Sequence, residues 1–355
     1  MSCTHETNTM MKNAETVLVT GGTGFVGMRC ILTLLQQGYR VRTTVRSLAS
    51  QPQVLATLRA GGAETAEQVE FVEADLTDDR HWSAAVQGCA YVLHVASPVG
   101  FAAPTDESAH LKPAVEGTLR VLKAARDAGV RRVVLTSSFG AVGFSHTDTT
   151  TETTEADWTD PGLNGLSVYE KSKGLAERAA WNFIQTEGGA LELSVLNPVA
   201  ILGPALSPHV SGSFDMLKHL VDGSLKAAPH IVLNVVDVRD VADLQIRAMT
   251  TPSAAGQRFI ASADGQISMP EIAQFLRQHW PDLTARVTTK TVPDWVLKVA
   301  SLFNAQAKTG AMFLKVNRRV SNAKAKRELG WQPLSTNEQA ITAAMDSLIK
   351  YQLVK

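Results

Sequence analysis

The chain has 355 residues, 45% of them hydrophobic and 19% charged, and its 34 basic side chains balance 34 acidic ones. That composition excludes a disordered or fibrous chain, and the length suffices for one large core or two lobes. Zero net charge gives no electrostatic ground for nucleic acid or an anionic membrane as partner. Cys3, Cys30 and Cys89 are scattered and form no CxxC pair, so they read as reduced thiols. No run of eighteen apolar residues predicts a membrane span. Residues 1–14 are polar and lack an apolar signal core. They read as a flexible tail, and a cytoplasmic location is expected.

Short apolar, β-branched runs then alternate with helical stretches. Strands are predicted at Thr16 to Thr20, Arg40 to Val45, Val69 to Glu73, Tyr91 to Val95, Arg132 to Thr136 and Leu193 to Leu196. Met28 to Gln37 carries helical apolar spacing that Gly38 ends, and a further helical segment begins at Tyr169. Strands apolar on both faces and separated by helices call for a parallel sheet covered on both sides, with a ligand crevice at the carboxyl ends of the strands. After Pro198 the pattern changes. Pro204 and Pro208 break the chain, a helix is predicted around Phe214 to Val221, and a strand over Ile231 to Val236. Helices are expected at Met269 to His279, Asp294 to Phe303 and Asn337 to Tyr351. The fold class is therefore α/β, a Rossmann-type doubly wound parallel sheet with a smaller C-terminal α+β substrate lobe. Residues 15–200 form the dinucleotide-binding domain, with 231–250 returning to it; 201–230 and 251–355 form the substrate lobe.

The first strand runs into Thr20-Gly21-Gly22-Thr23-Gly24-Phe25-Val26-Gly27 and then a helix, the spacing TGxxGxxG. Gly21 permits a tight turn, Gly24 lets the backbone approach a pyrophosphate, and Gly27 lets helix and strand pack closely. Amides of Thr23, Phe25 and Val26 at the helix start complete the anion cradle. A glycine triplet alone marks any tight turn, but between strand and helix near the start of the chain it indicates dinucleotide binding. An NAD site places an acidic residue at the end of the second strand. Thr44-Val45-Arg46-Ser47 has none, and the Arg46 guanidinium suits a 2′-phosphate, so NADPH/NADP is the expected cofactor. Asp75, followed by Leu76, is placed to meet the adenine edge.

Tyr169 and Lys173 are four residues apart and share a helix face. A phenol with pKa near 10 needs an adjacent cation to favour its anion, and an ammonium supplies one. Such a pair can give a proton to a carbonyl oxygen as hydride reaches the carbon. The fifth strand ends at Thr136-Ser137-Ser138, where a serine hydroxyl can orient that carbonyl.

With these residues together, the chain resembles the extended short-chain dehydrogenase/reductases, and within them the dihydroflavonol reductase, cinnamoyl-CoA reductase and yeast-type aldehyde (methylglyoxal) reductase group. The carrying segments are the Val17 to Gly27 run, Val45-Arg46, His94 to Pro98, Pro113 to Thr118, Leu135 to Ser138, Tyr169 to Glu177, Asn197-Pro198, Asp237 to Ala242 and Glu328 to Trp331. The resemblance implies that Tyr169 is the proton donor and that Lys173 holds the nicotinamide ribose and tunes Tyr169. Ser138 polarises the carbonyl, with Ser137 the fallback if the register slips. Val95, Ala96, Ser97, Ser137 and Pro198 line the cofactor; Pro98, Val99, Phe101 and Phe144 belong to the substrate pocket. Two departures matter. Residues 47–53 contain no lysine for a second 2′-phosphate contact, and the Asn-Trp-Tyr-Cys signature of cinnamoyl-CoA reductases is missing. Small aldehydes or ketones are therefore expected in place of a flavonoid or thioester.

The nine histidines form no HxxxH or HExxH pair, and no metal is expected. The expected partner is a small-molecule carbonyl substrate, without nucleic acid or membrane, in a monomer or homodimer. Two alternatives remain open: an NAD-dependent nucleotide-sugar epimerase or dehydratase, and a non-catalytic protein that senses NADP. A dehydratase calls for extra carboxylates beside the serine, which Phe139 and Gly140 do not supply. A sensor typically loses the tyrosine or lysine.

Overall fold

The structure, a computed structural model, describes residues 15–98, 107–303 and 305–354. Seven strands form the main sheet: β1 (Thr16–Val19), β2 (Arg40–Val45), β3 (Glu70–Glu73), β4 (Tyr91–His94), β5 (Arg132–Thr136), β6 (Glu192–Pro198) and β7 (Arg258–Ala261), in the order β7-β6-β5-β4-β1-β2-β3. The pairings of β1 with β2 and β4, of β2 with β3, and of β5 with β4 and β6 are all parallel. Every residue of β1, β4 and β5 is buried, whereas the ends of β3 at the sheet edge are exposed. That contrast explains why the central strands read as unbroken apolar runs. The fold is the doubly wound Rossmann type expected from the alternating pattern.

The chain divides into two compact units. One comprises the described chain up to Ser137 with Leu175–Leu196 and Ala242–Phe259. The other comprises Ser138–Gly174, Asn197–Val241 and Ile260–Lys355. In the first, Leu18, Val92, Val121, Leu122, Phe183 and Leu193 belong to one apolar cluster. Helix α1 (Phe25–Gln36) turns Ile31, Leu34 and Leu35 inward. At the N-terminal end of β5, the buried Arg132 pairs with Glu192 and donates to the carbonyls of Ala248, Met249 and Thr251. These are the last carbonyls of the helix Val238–Thr250 and its end, where a cation complements the helix dipole.

In the second unit Trp331 is fully buried. Its indole N–H donates to Asp240 Oδ1 at 3.1 Å, and the same carboxylate accepts the Leu334 amide at 2.9 Å. The strand expected over Ile231 to Val236 is two pieces. Val232–Leu233 pairs antiparallel with Ile267–Ser268, and Val235–Asp237 pairs parallel with Ala200–Leu202. The break falls at Asn234, whose side-chain amide donates to the carbonyls of Gly265 and Arg318. The helix expected to run from Asp294 to Phe303 stops at Ala300, leaving Leu302 and Phe303 exposed.

Candidate active site

In the first unit, β1 lies between β4 and β2, the point where strand order reverses and loops diverge. Thr20 fastens that point. Its hydroxyl oxygen accepts the amides of Val95 at 3.0 Å and Ala96 at 2.9 Å, and lies 2.9 Å from His94 Nδ1. Two threonines of β2 hold the loop from the other side. Thr43 donates to the Val19 carbonyl at 2.7 Å, and Thr44 accepts the Gly21 amide on its hydroxyl and the Gly22 amide on its carbonyl.

Three glycines of the loop are confined to glycine by their surroundings. Gly21 has φ +77° and needs the left-handed region. A Cβ on Gly27 would lie 2.3 Å from the Gly21 carbonyl oxygen, so this glycine sets the helix-to-strand approach. Gly22, given no role by the motif, is equally confined: its Cβ would meet Thr43 Oγ1 at 2.3 Å. Gly24 is the N-cap of α1, which has no side-chain cap and no acidic residue in its first turn. With neither a side-chain cap nor a carboxylate in its first turn, the positive end of the α1 dipole favours an external anion. A helix start without a side-chain cap, behind a loop confined at Gly21 and Gly22, fits a dinucleotide pyrophosphate.

The Asp75 carboxyl is held below the ordinary range chiefly by Thr77, whose hydroxyl and amide both donate to Asp75 Oδ1, and in smaller part by the charge of Arg46, exposed at the end of β2. Leu76 lies against Gly117, where a Cβ would come within 2.9 Å of its side chain. Val95, Ala96, Ser97 and Pro98 follow β4 and are half-buried. Val99 and Phe101, expected in the substrate pocket, lie outside the described residues.

Helix α2 (Val168–Thr186) carries Tyr169 and Lys173, both in the second unit. The Ser138 hydroxyl is hydrogen-bonded to the Tyr169 phenol, and its oxygen accepts the Gly140 amide at 3.1 Å. The buried Asn197 donates to the Ser138 carbonyl at 3.2 Å. Lys173 Nζ stands 5.9 Å from the centre of the Tyr169 ring, and Lys173 is buried. The Tyr169 phenol is pushed up to about 12, chiefly by burial and then by the charge of Glu170, with the Ser138 hydrogen bond opposing. Phe144 is buried and meets the rings of Phe139 and Phe313 edge-on at 5.9 and 5.4 Å. Pro198 is buried at the end of β6.

Two charged groups here escaped the sequence reading. Glu170 packs against Gly140, where a Cβ would come within 2.8 Å of its side chain, and burial raises its carboxyl. Arg318 places its guanidinium 5.6 to 5.8 Å from the rings of Phe139, Phe144 and Phe313. Burial brings it down to about 10, against the charge of Glu170. Glu170 was visible as the neighbour of Tyr169; Arg318 reads from the sequence as part of a solvated basic cluster with Arg319, Lys324, Lys326 and Arg327, and the three rings beside its guanidinium correct that reading.

The profile of the NAD dependent epimerase/dehydratase family matches residues 17–261. The chain belongs to that family. Within it, the resemblance to reductases holds. An anthocyanidin reductase ((2S)-flavan-3-ol-forming) of Vitis vinifera is 34% identical over 285 residues, 75% of this chain and 81% of the relative. Cinnamoyl-CoA reductase 1 of Petunia hybrida is 34% identical over 332 residues, 92% of this chain and 96% of the relative. Among solved structures, Gre2 of Candida albicans in complex with NADPH is 26% identical with a TM-score of 0.75, covering 95% of this chain and 99% of that one. Among the described residues, no helix is long and apolar enough to cross a membrane.

Proposed function

We propose that this epimerase/dehydratase-family protein is an NADPH-dependent reductase of small aldehydes or ketones. The observation that carries the reading is the Ser138 hydroxyl on the Tyr169 phenol, with Lys173 one helical turn further along α2. Bound NADPH would supply the hydride. Ser138 holds the substrate carbonyl in place, and Tyr169 gives its phenolic proton to the oxygen as negative charge develops there. The buried Lys173 ammonium stabilises the phenolate that remains. Because burial keeps the phenol protonated, the donor is loaded before substrate arrives.

The glycine loop, the Thr20 fastening and the uncapped start of α1 support dinucleotide binding in the first unit. The exposed Arg46, with no carboxylate at the end of β2, supports the phosphorylated dinucleotide. Similarity to reductases of Vitis vinifera and Petunia hybrida, and to an NADPH complex of Gre2, points the same way.

The deciding experiment follows NADPH and NADH absorbance with purified protein and a panel of aldehydes, diketones and aryl ketones. Turnover with NADPH is expected. Tight dinucleotide binding without turnover of any carbonyl would leave a sensor, and turnover with NADH alone would overturn the Arg46 argument.

A further inference from the structure

The strand end carries two adjacent serines, Ser137 and Ser138, and the structure commits their hydroxyls to different partners. Ser137, only 5% exposed, donates its hydroxyl proton to Glu177 Oε2 at 2.6 Å. Having given up its one proton there, Ser137 has none left for a substrate oxygen. Ser138 instead bonds the Tyr169 phenol.

Glu177 is completely buried and carries more than this one bond. Its Oε1 accepts from Arg258 Nε at 2.6 Å and from the Trp181 indole at 3.3 Å, and Arg258 is itself 7% exposed. A buried ion pair is costly to desolvate, and replacing both partners with apolar groups is often neutral or stabilising. Stability alone is a weak reason for this one. Tyr169, Lys173 and Glu177 recur every four residues along α2, forming a single ridge about 12 Å long. At one end of that ridge the helix bonds Ser138; at the other it bonds Ser137, the preceding residue in the chain.

We propose that Glu177, clamped by Arg258, is a positioning residue whose hold on Ser137 fixes how the end of β5 is presented, and so keeps the Ser138 hydroxyl on the Tyr169 phenol. This rests on the reductase reading for its kinetic consequence, but not for its structural one. Ser137→Ala removes the link to the strand and leaves the Glu177–Arg258 pair intact, so it tests the proposal without stranding a buried charge.

The chain has four tyrosines, so 13C labelling at the phenolic carbon gives few resonances, and Tyr169→Phe assigns the one that matters. Ser138→Ala gives the position of that resonance when the hydrogen bond is lost. In Ser137→Ala the resonance should move in the same direction, and Ser137→Thr, which keeps the hydroxyl, should leave it at the wild-type position. In parallel, Ser137→Ala should lower kcat by about tenfold, with KM for the carbonyl and the NADPH Kd within about twofold of wild type. Glu177→Gln should move the resonance the same way.

A wild-type resonance in Ser137→Ala overturns the proposal, whatever the protein reduces. So does a tenfold weaker NADPH Kd at unchanged kcat, which would make Ser137 a cofactor contact and no part of a frame. If the resonance moves while wild-type protein reduces no carbonyl, the positioning stands and the reductase reading falls.

Discussion

Burial has pushed the Tyr169 phenol up to about 12, and that value has a directional consequence. At pH 7 roughly one phenol in a hundred thousand is ionised when the group titrates near 12. Placing the phenolate there at neutral pH costs about 7 kcal/mol before the dinucleotide contributes, at 1.36 kcal/mol per pH unit over five units. Reduction uses the protonated form and needs none of that energy, whereas alcohol oxidation starts from the phenolate. The sign is therefore fixed: a raised phenol keeps the donor loaded across neutral pH. The kcat/KM for carbonyl reduction should stay flat from about pH 6 to about pH 9, while alcohol oxidation climbs close to tenfold per pH unit. Tyr169→Phe removes the proton and should lower kcat on the order of a hundredfold or more, with NADPH affinity within about twofold. Initial rates in both directions across that range, with dinucleotide binding followed by fluorescence, check each part. Reduction that declines with a midpoint near neutrality would show that another group supplies the proton. Retained turnover in Tyr169→Phe would refute the assignment outright.

Arg46→Ala should raise the KM for NADPH by on the order of ten- to a hundredfold, the worth of a charge-assisted contact, and leave NADH kinetics unchanged. Gly22→Ala drives a methyl group into Thr43; a loss of about 1–3 kcal/mol and a lower Tm are expected, together with weakened dinucleotide binding. Asp240→Ala strips the buried Trp331 indole and the Leu334 amide of their acceptor, so chemical denaturation should reveal a loss of several kcal/mol, about 1–3 for each donor. An unchanged midpoint in that variant would mean that water replaces the carboxylate without penalty.

What could be read from the sequence was what repeats locally. The apolar runs of β1, β4 and β5 were legible because both faces are buried, and the TGxxGxxG and Tyr-x-x-x-Lys spacings because each lies within one turn and helix. The seventh strand, Arg258–Ala261, has four residues and opens on a buried arginine, so it gave no periodic signal. Gly22 was passed over because the atom that confines it belongs to Thr43, on the next strand. Glu177 was visible only as part of a helix; its partners Ser137 and Arg258 lie 40 positions before and 81 after it. Asn234 sat inside an apolar run and read as strand, although its amide belongs to two carbonyls far along the chain. In each case the missing information was a tertiary partner.

The two halves of the β2 ending have different freedom to change. Thr43 and Thr44 are buried and committed to Val19, Gly21 and Gly22, so substitutions there disturb the loop itself. Arg46 and Ser47, immediately beyond, are exposed and carry no part of that scaffold. On the proposed reading, preference between the two dinucleotides rests on the exposed Arg46 and not on the buried threonines. A lineage, or a protein engineer, could then trade one reductant pool for the other there by a step or two, leaving the threonines that hold the glycine loop untouched.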